Sequence, residues 1–245
     1  MKILSKTVVP IVISLLLFSS CISITKSTLR EPIPKVIEMN GCKLSSTGAV
    51  YLKMFGFIKA DFVPNSVKMV YNGKVVYCDP LNVEDTLKAD YILITHNHMD
   101  HFSKSDMNHL LKPSTILIAP KKVTKKFKHV KHHTAGIGNT YNFGEIQVEA
   151  VEAYNIGSKL HKKGNNFVGY VISCDSTRIY IAGDTDFIPE MKNLNGIAVA
   201  IVPIGEGKTA MNPLTGGEAV NAINPNFAIP VHYELNQNRE SDFLE

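Results

Sequence analysis

Thr95-His96-Asn97-His98-Met99-Asp100-His101-Phe102 follows directly on the apolar run Tyr91-Ile92-Leu93-Ile94. The run is short, β-type at Ile92 and Leu93, and carries no helical periodicity, so it reads as a buried strand. The polar cluster therefore begins where a strand ends and a loop starts. Three imidazoles and a carboxylate fall within six residues. A strand end is rigid, and the loop lets neighbouring side chains point different ways. His96 and His98 can converge on one cation, and Asp100 and His101 can turn toward a second position beside it. Imidazole and carboxylate ligands without thiolate suit zinc, manganese or iron rather than a purely structural zinc site. The plain alternative is a histidine-rich surface loop, which the strand before it and the partners after it argue against.

Upstream, residues 66–71 and 74–78 flank Asn72-Gly73, the turn pair that matches strand twist, and read as a hairpin. Asp79-Pro80 ends its second strand. Asp79 is either a surface turn residue or a carboxylate that orients a metal-ligating histidine from behind. Downstream, 103–111 reads as a helix with Ser103 or Ser105 as N-cap, and 116–120 as a strand ending at proline. The basic run 121–133 fits a solvated helix face with Val123, Phe127 and Val130 turned inward. His132 and His133 sit beside Gly136 and Gly138, which suggest a turn rather than a ligand pair.

The remaining strands are 146–151, 167–173, 178–182, 197–204 and 226–231, with a short helix at 218–223 after Gly216-Gly217. Gly183-Asp184-Thr185 and His232 each stand just past a strand. His161 lies in a polar, glycine-bearing loop, where a lone histidine has no role in a core. His96, Asp184 and His232 thus close three separate strands, which is how a catalytic metal site collects its ligands on one edge.

The chain has 245 residues, 44% of them hydrophobic, enough for one domain with a sizeable core. Lys and Arg number 26 against 22 Asp and Glu, a near-neutral balance that does not by itself indicate nucleic acid. Lys2 and Lys6 precede an apolar stretch at 8–18, and Leu17-Phe18-Ser19-Ser20-Cys21 resembles a bacterial lipoprotein box, with Phe18 a departure from it. Residues 1–20 are expected to be a signal peptide, and Cys21 a lipidated mature N-terminus on an exported, membrane-anchored protein. An ordinary signal peptide and a single anchoring helix are the alternatives. Residues 21–60 are expected to be a tether followed by an unassigned stretch, and 61–245 the folded domain. Cys42, Cys78 and Cys174 are too few and too odd in number for a full disulfide framework, though one bridge could form among them.

The His-x-His-x-Asp-His cluster, Gly183-Asp184-Thr185 and Pro230-Val231-His232-Tyr233, in that order, resemble the metallo-β-lactamase superfamily. They are most similar to its small metal-dependent hydrolases of the ascorbate-6-phosphate lactonase type. The resemblance runs from about 66 to 233. It implies an α/β fold, an αβ/βα sandwich of two mixed sheets with helices outside. It implies that His96 and His98 hold a first metal, that Asp100, His101 and His232 hold a second, and that Asp184 bridges both. The family places one more histidine on the first metal, after the strand that here ends at Tyr154. This chain has Asn155 there and His161 later, so His161 is the expected ligand and Asn155 the alternative. The implied chemistry is hydrolysis of an ester, lactone or phosphoester of a small-molecule substrate. A hydroxide bridging two divalent ions, zinc first and manganese or iron next, would attack it, with Asp100 as proton carrier. Two other classes compete. An iron-dependent sulfur oxygenase would use similar ligands, and a non-catalytic metal-binding surface lipoprotein would show an incomplete set. Flavin-linked relatives typically carry an acidic residue where Asn97 stands, and the extra domain of the RNA-processing relatives would not fit in this length.

Overall fold

The computed structural model describes residues 23–27, 36–54, 58–235 and 237–244. The apolar stretch 8–18 and Cys21 lie outside the described residues. Strand alternation builds the layers. In Lys74–Cys78, Val76 and Cys78 face one side of the sheet while Val75 and Tyr77 face the other, and both faces are buried. That strand belongs to a seven-stranded sheet, ordered Lys131–Thr134, Ile116–Ala119, Tyr91–Leu93, Lys74–Cys78, Val67–Tyr71, Cys42–Ser46 and Val36–Met39. The first four of these are parallel neighbours, and the rest pair antiparallel.

A second sheet of six runs Thr140–Asn142, Ile146–Glu152, Val168–Cys174, Thr177–Ile181, Val199–Pro203 and Phe227–Val231. Val76 and Leu93 of the first sheet meet Val148, Tyr170 and Ile201 of the second in the central core. Outside the first sheet, Met107 and Leu110 of the helix Lys104–Leu110 pack on Tyr77 and Leu117. Outside the second, Ala219 and Ile223 of the helix Pro213–Ile223 pack on Tyr180 and Val202. Helix, sheet, sheet, helix is the expected sandwich. Tyr170 ties the sheets together: its buried hydroxyl reaches the carbonyls of Ile94, at 2.8 Å, and Ile118, at 3.0 Å.

The hairpin at Asn72-Gly73 is present, with φ of 45° and 74° at the two turn residues. Ser103 caps its helix by accepting the Asp106 N–H. Three expectations are corrected. Residues 21–60 contribute strands: Val36–Met39 and Cys42–Ser46 extend the first sheet. Ser23–Lys26, Val50–Met54 and Ile58–Val63 join Tyr233–Glu234 in a small third sheet. Residues 36–46 and 50–63 each form a hairpin, and pairing with strands distant in sequence, Val67–Tyr71 and Tyr233–Glu234, ties them to the rest. The helix in the basic run is a single turn, Lys121–Thr124, followed by turns and the exposed edge strand Lys131–Thr134. Val123, Phe127 and Val130 are buried nonetheless, because successive turns preserve the spacing that a helix would give. Gly216 and Gly217 lie inside the helix Pro213–Ile223, which starts at a capping box between Asn212 and Thr215. A Cβ at Gly216 would come within 2.8 Å of Ile204, so the glycine lets the helix lie close on its sheet. Cys42, Cys78 and Cys174 are free and buried, with no disulfide among the described residues.

Candidate metal centre

Four chain segments meet at one end of the sandwich. Tyr91–Leu93 leads through Ile94 and Thr95 into His96, His98, Asp100 and His101. The turn is closed by the His98 carbonyl, which accepts the N–H groups of His101, at 3.2 Å, and Phe102, at 2.8 Å. The loop after Ile146–Glu152 brings in His161, and the Asn155 N–H donates to the His161 carbonyl at 2.7 Å. Asp184 follows Thr177–Ile181 through Gly183, whose φ is +66°. A Cβ on Gly183 would come within 3.0 Å of Thr95, so glycine is what allows this turn to close against the histidine loop. His232 follows Phe227–Val231 with φ of 55°. His96, His101, His161 and Asp184 are buried, and His98 and Asp100 are half-buried.

The polar atoms form overlapping groups. His96, His98 and His161 offer three ring nitrogens within 4.8 Å of one another, and Asp100, His101 and His232 form a second such group. In the first, His161 Nε2 lies 3.0 Å from His98 Nδ1. In the second, His232 Nε2 and His101 Nε2 lie 3.2 and 3.7 Å from Asp100 Oδ2. Asp184 stands between them. Its Oδ1 is 3.1 Å from His101 Nε2 and 3.2 Å from His232 Nε2. Its Oδ2 is 3.8 Å from His96 Nε2 and 3.9 Å from His161 Nε2. His96 Nε2, His101 Nε2 and Asp184 Oδ1 are buried yet make no aligned hydrogen bond. Buried polar atoms that converge without bonding one another are costly unless a cation joins them, so this donor set fits divalent metal.

Residues behind the site set the tautomers. Asp79, fully buried, accepts His101 Nδ1–H at 2.7 Å, the Thr95 N–H at 2.8 Å, the Thr95 hydroxyl at 2.6 Å and the Asn65 amide at 3.0 Å. With its proton given to Asp79, the Thr95 oxygen is left to accept from His96 Nδ1 at 3.0 Å. Both rings therefore turn Nε2 inward. Phe167 closes one wall, its ring 5.0 Å from those of His96 and His161 and 5.6 Å from that of His98.

The electrostatics divide the two groups. Burial first, then the neighbouring imidazoles, hold His96 well below its ordinary pKa, and burial also lowers His98 and His161. Burial opposes protonation of His101 and His232 too, but Asp184 and Asp100 overcome it and raise both. Burial pushes Asp184 up, and His232 and His101 more than reverse this, so its carboxyl is lowered. One group thus presents neutral lone pairs and the other a negative field that protons balance, a place a divalent cation can take.

The seven residues singled out from the sequence, His96, His98, Asp100, His101, His161, Asp184 and His232, are thus brought together. Asn155 is not in the ligand groups: its Nδ2 donates to Asp186 Oδ1 at 2.8 Å. His132 and His133 lie on the exposed edge strand and belong to none of the ligand groups. Sequence reasoning passed over Thr95, Asn65 and Phe167. Thr95 carried a usable signal, being a hydroxyl at the strand end directly before a histidine.

A family model described as the beta-lactamase superfamily domain matches residues 62–232. A UPF0173 metal-dependent hydrolase from Desulforamulus reducens is 33% identical over 158 residues, covering 60% of this chain and 68% of that protein. One from a Geobacillus species is 30% identical over 187 residues, covering 68% and 81%. Among solved structures, a candidate metal-dependent hydrolase from Parabacteroides distasonis superposes with a TM-score of 0.69 at 27% identity, covering 86% of this chain and 92% of that one. With the sandwich, the convergent imidazoles and these relatives together, the chain belongs to the metallo-β-lactamase superfamily.

Proposed function

We propose that this protein is a hydrolase working with two divalent cations, zinc first and manganese or iron next, on an ester, lactone or phosphoester. The observation that carries this is the position of Asp184, with one carboxylate oxygen toward each group of ligands. His96, His98 and His161 would hold one ion, Asp100, His101 and His232 the other, and Asp184 both. Bound there, such ions supply Lewis acidity and make water acidic enough to ionise near neutral pH. The chain does the rest. Asp79 and Thr95 keep the ring nitrogens aimed inward, and Phe167 keeps bulk water off one side. Asp100, with its side chain 26% exposed against 2% for Asp184, is placed to carry a proton between the site and a leaving group at Oδ2.

Elemental analysis of protein purified without chelator tests the reading. A stoichiometry near two, with 4-nitrophenyl ester hydrolysis lost to chelator and restored by zinc or manganese, is expected. A stoichiometry near zero after incubation with either ion refutes it. We further propose that the protein is exported and lipid-anchored through Cys21. Mass spectrometry of the mature N-terminus is expected to find an acylated Cys21, and an intact Met1 refutes export.

A further inference from the structure

Beside the metal centre lies a cleft of about 600 Å³, lined among others by Asn155, Ile156, Lys159, Leu160, Asp186 and Lys208. Both of its walls run into the centre. One is the segment 155–160, which leads directly to His161. The other includes Gly207 and Lys208, on the loop that leaves Val199–Pro203. That loop begins at Gly205, packed so tightly on His232 that an added Cβ would lie 2.0 Å from the His232 carbonyl oxygen. A molecule in the cleft is therefore flanked by one loop that ends at His161 and another that packs on the backbone of His232.

The chemistry of the lining is uneven. Its carboxylate, Asp186, is occupied by the Asn155 amide at 2.8 Å and the Ile156 N–H at 2.6 Å. That contact also fixes which way the Asn155 amide points and leaves its Oδ1 buried with no partner. Lys159 and Lys208 are exposed, and among the described residues neither has an ion-pair or hydrogen-bond partner. Lys163 nearby differs, since it pairs with Glu190 at 2.5 Å and Glu152 at 3.7 Å. Ile156 and Leu160, 65% and 54% exposed, present apolar surface to the same cleft. Two uncommitted cations, one buried acceptor and two bared aliphatic side chains form a surface for an anion with an apolar body.

We propose that the substrate is an amphiphilic anion: Lys159 and Lys208 hold its carboxylate or phosphate group, and Ile156 and Leu160 cover its apolar part. This rests on the hydrolase reading. Mono(4-nitrophenyl) glutarate and 4-nitrophenyl valerate present the same acyl chain with and without a terminal carboxylate. In metal-reconstituted protein, the ratio of kcat/KM for the first over the second is expected to fall about tenfold in Lys159→Ala/Lys208→Ala. The loss should lie in KM, and Lys159→Arg/Lys208→Arg should recover most of the ratio. An unchanged ratio overturns the proposal. Calorimetric binding of glutarate and of phenyl phosphate to wild type and to the double alanine variant separates the two readings. If neither ester is turned over but anion binding is weakened by the double variant, the anion site stands and the hydrolase reading fails. Equal binding by both proteins overturns the anion site. The anion whose affinity falls further identifies carboxylate or phosphate as the recognised group.

Discussion

His101 Nδ1 and Asp79 Oδ2 lie 2.7 Å apart, both fully buried, and this contact decides which nitrogen His101 turns toward Asp184. Asp79 has a φ of +46° at the end of Lys74–Cys78, so the carboxylate is delivered from the neighbouring parallel strand. Replacing it with asparagine offers the ring an ambiguous partner. Asp79→Asn is expected to weaken divalent-ion affinity about 10–100-fold, read by competition with a chromogenic chelator. Affinity equal to wild type, in a variant with native circular dichroism, would contradict this role.

His161 contributes the third nitrogen of the group with His96 and His98. On the two-cation reading proposed above, His161→Ala should cost more affinity for one ion than Asp79→Asn does, because a ligand is lost and not merely loosened. Metal content per chain should drop toward one after mild chelation while the other group, Asp100, His101 and His232, keeps its ion. Wild-type stoichiometry in the variant would remove His161 from the site.

Tyr170 bridges the two sheets through the carbonyls of Ile118 and of Ile94, which lies two residues before His96. Tyr170→Phe leaves those acceptors without the hydroxyl and should lower unfolding stability by about 1–3 kcal/mol, measured by urea denaturation. Metal stoichiometry should stay at the wild-type level. A loss of metal without a loss of stability would show that the bridge serves the site and not the sandwich.

Asp90 gives a pH signature outside the metal centre. Burial raises its carboxyl, but hydrogen bonds from Lys112 and the Val75 N–H, with Lys74 nearby, more than compensate and hold it below its ordinary value. A lowered folded-state value means the stabilisation is complete above the unfolded pKa of about 3.9 and is lost as pH falls through the folded value. Wild type should therefore lose urea midpoint more steeply than Asp90→Asn below about pH 4, and the two should run parallel from about pH 5 to 6. Parallel curves throughout would rule out the linkage.

The residues legible in the sequence were those where a strand stops and a ligand begins. His96, Asp184 and His232 follow apolar runs whose length and β-type composition need no tertiary information to read. His161 carried only a weak local mark, a lone histidine in a polar, glycine-bearing loop, and its role as a ligand came from the family resemblance. Lys131–Thr134 could not be read as a strand, since its four exposed side chains give no alternation and its place depends on pairing with Ile116–Ala119. Gly216 inside a helix was misleading for a similar reason. Local propensity counts glycine as a helix breaker, while its contact with Ile204 comes from the sheet beneath. The segment before residue 61 held one usable signal that went unread: Asn40-Gly41 turns Val36–Met39 back onto Cys42–Ser46, as Asn72-Gly73 does for its own hairpin. The other partner of Cys42–Ser46, Val67–Tyr71, lies beyond the third sheet's hairpin and leaves no local mark.

The order of ligands along the chain also sets a timetable. His96, His98 and His161 emerge from the ribosome well before His232, which is separated from its neighbour Asp100 by 132 positions. A nascent chain released up to the end of Val168–Cys174 already carries the whole first group of nitrogens. The second group is closed only by the last strand of the six-stranded sheet. On the two-cation reading, an ion held by that second group requires a chain folded through Phe227–Val231 and the turn beyond.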